Sequence, residues 1–193
     1  MTKDEERECY LFGSNLALHC IDPANDNNKD FYESLKSLNK NEKNLVLAEL
    51  IFFRSSFIGT KLFSGIKNNE KRNMKLVYFF TKLSDELDMD ISSVYEKSRK
   101  YAEFTIDYLE TEKKNDMIFP HLILKNSGID IEKIIGDGYS KFSIEYFMPN
   151  ITMFWIGVQN IFKVYSKDLN KKSGCLGSVL TLIFVICFLI YVI

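Results

Sequence analysis

Asn41-Glu42-Lys43-Asn44-Leu45-Val46-Leu47-Ala48-Glu49-Leu50-Ile51-Phe52-Phe53-Arg54-Ser55-Ser56-Phe57-Ile58 is the segment on which the fold turns. Leu45, Val46, Leu47, Leu50, Ile51 and Phe53 leave almost no polar side before Phe53, and Phe57 and Ile58 extend the run. A helix that is apolar all round is a buried helix. A buried strand has similar composition, but no turn interrupts this run at strand length. Asn41 is the expected N-cap.

The flanking sequence also has helical spacing. Cys9, Phe12, Leu16 and Cys20 form a stripe ahead of a loop, Asp22-Pro23-Ala24-Asn25-Asp26-Asn27-Asn28. A short helix with Phe31, Leu35 and Leu38 follows. Beyond the polar connector Gly65-Ile66-Lys67-Asn68-Asn69, the residues Leu76, Phe79, Phe80, Leu83 and Leu87 mark an amphipathic helix. Asp90 or Ser93 caps the next one, with Ser93 and Glu96 at capping-box spacing. Its stripe is Val94, Tyr101, Thr105, Tyr108 and Leu109. Asn115 caps a segment through Leu124, and Asp130 caps a short helix ending at Gly136 or Gly138. Pro149 is a stop, after which Asn150 caps a helix carrying Ile151, Phe154, Trp155, Val158, Ile161, Phe162 and Tyr165. The expected fold is all-α: a single bundle of seven to nine helices around a central hydrophobic one.

The charge distribution divides the chain in two. It has 193 residues, and its 25 basic and 26 acidic side chains all lie in the first 173. Residues 1–170 read as one cytosolic helical domain, with 16 Phe and 10 Tyr in the whole chain to fill a core. Residues 174–193 carry no charge. A helix of that length rises about 30 Å, the thickness of a hydrocarbon core. It reads as a transmembrane tail anchor, with Leu176, Leu180, Ile183, Phe184, Phe188 and Ile190 facing lipid. Lys167, Lys171 and Lys172 precede it and place the body in the cytosol. The membrane is intracellular, either the mitochondrial outer membrane or the endoplasmic reticulum.

The balanced charge argues against nucleic acid as a partner. Four cysteines (Cys9, Cys20, Cys175 and Cys187) form no CxxC pair, and only His19 and His121 are imidazoles, so neither a disulfide framework nor a zinc site is expected. Cys175 beside the span is a lipidation candidate or a small residue at a helix start. No phosphate-binding glycine loop, HExxH or GxSxG occurs. The expectation is a protein that is not an enzyme and carries no cofactor.

Two stretches resemble known motifs. Leu62-Phe63-Ser64-Gly65, followed by Arg72-Asn73-Met74-Lys75-Leu76-Val77-Tyr78-Phe79-Phe80, resembles the first homology motif of the B-cell lymphoma-2 (Bcl-2) family of apoptosis regulators. The family reads Leu-Phe, a Gly, then Asn-Trp-Gly-Arg and an apolar run ending Phe-Phe. Here Asn73 stands for the Trp, Met74 for the Gly and Lys75 for the Arg, with about five extra residues between the two halves. Ala102-Glu103-Phe104-Thr105-Ile106-Asp107-Tyr108-Leu109 resembles the family's following helix. Ile123-Leu124-Lys125-Asn126-Ser127-Gly128-Ile129-Asp130 resembles the second motif with Ile129 for its Trp, and Gly157 to Tyr165 is a rival placement. No Leu-xxx-Gly-Asp third motif occurs; Leu47 to Phe57 lies where it belongs.

The resemblance implies a groove that takes an amphipathic helix from a pro-apoptotic partner. Lys75, Leu76, Phe79 and Phe80 would line it, with Leu50 and Phe53 from the central helix and Gly128 and Ile129 from the second motif. Lys75 would meet the ligand's Asp, as a point charge without the planar fork of Arg. Read without the family, Lys75 is a solvated helix lysine and the Leu76–Phe80 stripe is core. The implied function is a pro-survival regulator, since no third motif is visible. The alternative is a tail-anchored membrane adaptor or trafficking protein that recruits a protein partner.

Overall fold

The computed structural model describes residues 1–22, 26–110, 118–130 and 142–165. Their helices are α1 (Lys3–Ile21), α2 (Asp26–Ser34), α3 (Lys40–Gly65), α4 (Asn69–Leu87), α5 (Ile91–Glu110), α6 (Ile118–Asn126) and α7 (Met148–Val164). A π-helical turn, Phe142–Phe147, runs directly into α7. Among the described residues there is no strand, and the body is an all-α bundle. No helix among them is long and apolar enough to cross a membrane. The anchor, the Asn115 cap and the helix after Asp130 lie outside the described residues.

Helix ends follow the capping chemistry, with shifts from the sequence reading. Asn39, rather than Asn41, starts α3. Its Oδ1 accepts from the Glu42 N–H at 3.0 Å, while Glu42 Oε2 accepts from the Asn39 N–H at 2.9 Å. The reciprocal pair needs an acid three residues on, which Asn39 has and Asn41 lacks. Asp26, Asn27 and Asn28 belong to α2 instead of the loop. Asp90 caps α5 by accepting from the Ser93 N–H at 3.3 Å. Glu96 is bonded to Arg99 at 2.8 Å and leaves the expected Ser93 box unformed. Pro149 does not stop a helix but sits in the first turn of α7, where a missing N–H costs nothing.

Helix α3 packs against α1, α4, α5, α6 and α7, which makes it the central helix. Glu49 through Ile58, ten residues in succession, are buried. Phe53 has ring neighbours from three elements besides its own: Tyr101 of α5 at 5.7 Å, Phe119 of α6 at 5.3 Å and Phe147 of the π turn at 5.8 Å, with Phe57 at 4.8 Å within α3 itself. Such tilted and edge contacts contribute about 0.5–1.5 kcal/mol each beyond area burial.

Three full turns of buried helix also bring polar groups inside, and each finds a partner. Tyr101 Oη donates to Glu49 Oε2 at 2.8 Å, and Lys97 Nζ donates to Glu49 Oε1 at 3.2 Å. Ser55 and Ser98 bond across the α3–α5 contact. Arg54, 1% exposed, donates to the Cys20 carbonyl at the end of α1 (3.1 Å) and to Asn150 Oδ1 at the start of α7 (2.6 Å). Its guanidinium also lies 5.5 Å from the Phe154 ring centre. Asn150 is therefore occupied by Arg54 and does not cap α7. Burial pushes the Arg54 pKa down to about 10, so the group remains charged at neutral pH.

Replacing Arg54 tests this joint. Arg54→Ala leaves a buried carbonyl and amide oxygen short of a donor and is expected to cost about 3–5 kcal/mol. Arg54→Lys keeps the charge but cannot reach both acceptors in one plane, so it recovers only part of the loss. Urea unfolding followed by helical circular dichroism measures both.

Candidate functional site

Of the residues that the motif resemblance singles out, Leu50 and Phe53 lie on α3, Lys75, Leu76, Phe79 and Phe80 on α4, and Gly128 and Ile129 just after α6. Lys75, Phe79, Phe80 and Leu83 are the buried residues of α4, one stripe at helical spacing. Leu50, Phe53, Phe79, Phe80 and Ile129 belong to one continuous core, and Leu76 packs half-buried against it. The Phe79 and Phe80 rings meet at 4.9 Å, and Phe80 meets the half-exposed Tyr95 of α5 at 5.3 Å.

Lys75 is not the solvated lysine that its composition suggests. It is 1% exposed, with Nζ 4.6 Å from the centre of the Phe12 ring in α1. The cover is tight because α1 approaches α4 at a glycine. A Cβ on Gly13 would stand 2.8 Å from Phe79 N and 2.9 Å from Lys75 O. No methyl fits between two backbones at that distance, so Gly13 sets the α1–α4 separation.

Gly128 and Ile129 have a local structural role. Gly128 is left-handed (φ 72°), with Gly128 N–H donating to Lys125 O at 3.0 Å and Ile129 N–H to Leu124 O at 3.1 Å. These two bonds are the Schellman closure of α6, and buried Leu124 and Ile129 supply its hydrophobic contact. The Ser-Gly-Ile-Asp sequence thus ends a helix whatever else it does.

The sequence reading includes Arg72 in the motif segment but gives it no role. Its guanidinium stacks 4.6 Å from the ring of Phe63, which is 65% exposed, and its Nε has no hydrogen-bond partner. The two residues lie on either side of the α3–α4 break, so no single-helix periodicity pairs them. Arg72, half-buried at the surface, is a cation on α4 more open to a ligand than Lys75.

His19 also differs from expectation. It is wedged between α1 and α7 rather than standing on a helix surface; His121, by contrast, is exposed. Its Nε2–H donates to Phe154 O at 2.9 Å, and its ring stacks on that of Phe154 at 5.4 Å. A Cβ on Gly157 would fall 2.2 Å from His19 Cε1 and Nε2. Burial holds the imidazole pKa below its ordinary 6.5; the bond to Phe154 O opposes that, Arg54 adds to it and Asp22 opposes it.

Because the folded-state pKa lies below the unfolded one, the unfolded chain takes up the proton first as pH falls. His19 should therefore weaken the fold progressively below pH 6.5 and have no such effect above it. Urea midpoints at about pH 7.5 and about pH 5 read this out. His19→Gln should flatten the difference, and Gly157→Ala, which expels the ring, should both lower the midpoint and remove part of the pH response.

Compared with known proteins, the chain matches no family model, and no curated protein or solved structure shows significant similarity to it.

Proposed function

We propose that this protein is a Bcl-2-like, pro-survival regulator of apoptosis. The apolar segment 174–193 anchors it in an intracellular membrane, and its helical body stands in the cytosol. There it binds amphipathic BH-three helices of pro-apoptotic proteins. The observation that carries this reading is the enclosure of one long apolar helix, α3, by five others. It is supported by the degraded motif that ends on the Phe79–Phe80 pair of α4.

Helix-in-groove recognition needs apolar pockets for ligand residues at i, i+3, i+4 and i+7. In the closed body that space is filled: Phe12 and Gly13 of α1 lie over Lys75 and Phe79. A ligand helix therefore enters as α1 lifts from α4. Its acidic residue then meets Lys75 within the seam or Arg72 at the rim. Closure lowers apparent affinity by the fraction of molecules that are open: with about 1% open, Kd rises about 100-fold.

A panel of amphipathic pro-apoptotic peptides, titrated against the protein by fluorescence anisotropy, tests the reading. At least one should bind with a Kd on the order of 1 μM or tighter. Gly13→Ala, which forces the seam apart, should tighten that peptide's binding even as it lowers stability. Lys75→Glu together with Arg72→Glu should weaken it about tenfold or more. Binding by no peptide, combined with no effect of the protein on cell death, would remove the proposal.

A further inference from the structure

One side of the body carries little charge although it faces solvent. Residues 9–21 of α1 contain no acidic residue, Lys or Arg, and residues 148–165 contain no acid and a single cation, Lys163. These two stretches pack against each other. Phe12 meets Phe162 and Tyr165, Asn15 Nδ2 donates to Tyr165 Oη at 3.0 Å, and His19 meets Phe154. Low numbers on α1 thus meet high numbers on α7, so the pair is antiparallel.

The outer residues of the pair include several large apolar ones beside Asn15, Thr152, Asn160 and Lys163. Leu11 and Leu18, seven apart on α1, are exposed just outside the line that touches α7. Met153, Ile156 and Val164 are exposed on α7 at spacings of three and eight, which share one face. Val164, at 78%, is the most exposed large apolar side chain of those described. The surface of α5 is more charged: its exposed residues include Glu96, Lys97, Arg99, Lys100, Glu103 and Asp107, beside Ile91, Tyr95 and Ile106.

We infer that this α1–α7 face rests on the bilayer, at the level of the lipid headgroups. The inference rests on the anchor of the proposed function and goes beyond it. Two observations select lipid as the occupant. First, α7 ends at Val164, eleven residues ahead of Cys175, so the chain between them spans at most about 40 Å. Second, the charge suits anionic headgroups. Lys163, Lys167, Lys171 and Lys172 stand against Asp168 alone between residue 148 and the apolar segment. Apolar side chains with lysines close by in sequence are the composition of an interfacial helix, whose apolar face sinks about 5–10 Å into the headgroup boundary.

The test uses the full chain, with Cys175→Ser and Cys187→Ser so that only introduced thiols react; Cys9 and Cys20 are buried. An environment-sensitive fluorophore is attached in turn through Ile156→Cys, Val164→Cys and, on the charged surface of α5, Ile106→Cys. The chain is reconstituted into phosphatidylcholine vesicles with and without phosphatidylserine. Flotation after alkaline carbonate washing reports the anchor. The inference expects flotation, a blue shift at positions 156 and 164, and quenching by aqueous iodide several-fold weaker there than at 106. Phosphatidylserine should deepen that contrast, and salt should reduce it. Flotation with all three labels equally quenched overturns the inference and leaves the anchor standing. Loss of flotation removes the anchor and the inference together. Crosslinking between two copies through the label sites would assign the face to a second copy, and so overturn it as well.

Discussion

The buried guanidinium of Arg54 constrains how the helices meet. A charge inside a core is tolerated only where fixed dipoles replace its water. Here those dipoles come from two other helices, the last carbonyls of α1 through Cys20 and the first turn of α7 through Asn150. One side chain in the middle of α3 thereby fixes where α1 must end and where α7 must begin. The same Phe154 that faces the guanidinium also stacks with His19, so the α1–α7 joint is built around α3 rather than beside it.

The helical stripes were legible in the sequence because they depend only on spacing within one element. Phe79, Phe80 and Leu83 on α4, and Phe154, Val158 and Phe162 on α7, are buried as their periodicity requires. The enclosure of α3 was legible for the same reason, since an all-apolar surface has nowhere else to go. What escaped was every feature set by two elements at once. Arg54 gains a role only once Cys20 and Asn150 are placed beside it. Lys75 reads as solvated until Gly13 lets α1 close over it. Asn150 looked like a cap because the residue type suits one; its amide oxygen is instead held by Arg54.

The candidate groove shows the same division. Leu50, Phe53, Phe79, Phe80 and Ile129 gather in one core, but the cover over Lys75 and Phe79 comes from α1, whose stripe of Cys9, Phe12, Leu16 and Cys20 gives no hint of which neighbour it covers. Gly13 is the informative residue there. A glycine inside a helix costs about 1 kcal/mol relative to alanine, so its presence in α1 points to close packing. The sequence shows the cost but not the partner.

The two halves of α1 are held unequally, and this bears on how a closed seam opens. The C-terminal half carries the bond from Arg54 to Cys20 and the His19–Phe154 contacts, with Asn15 and Phe12 against Tyr165. The N-terminal half touches α4 through partners at the surface: Glu5 with Lys71 at 3.0 Å, Glu6 with Tyr78 at 3.2 Å, and the edge contact of Tyr10 with Tyr78. Exposed ion pairs contribute little in water, and helix ends are the first segments to open. Opening therefore runs inward from Lys3 and meets its first real resistance at Phe12 and Gly13, where Lys75 lies. A lipid surface under Leu18 would act on the clamped half, whereas one under Leu11 would touch the last turn of the half that lifts. Membrane contact would thus be coupled to seam opening through Leu11, since coupling between two sites requires that one change the balance of states at the other.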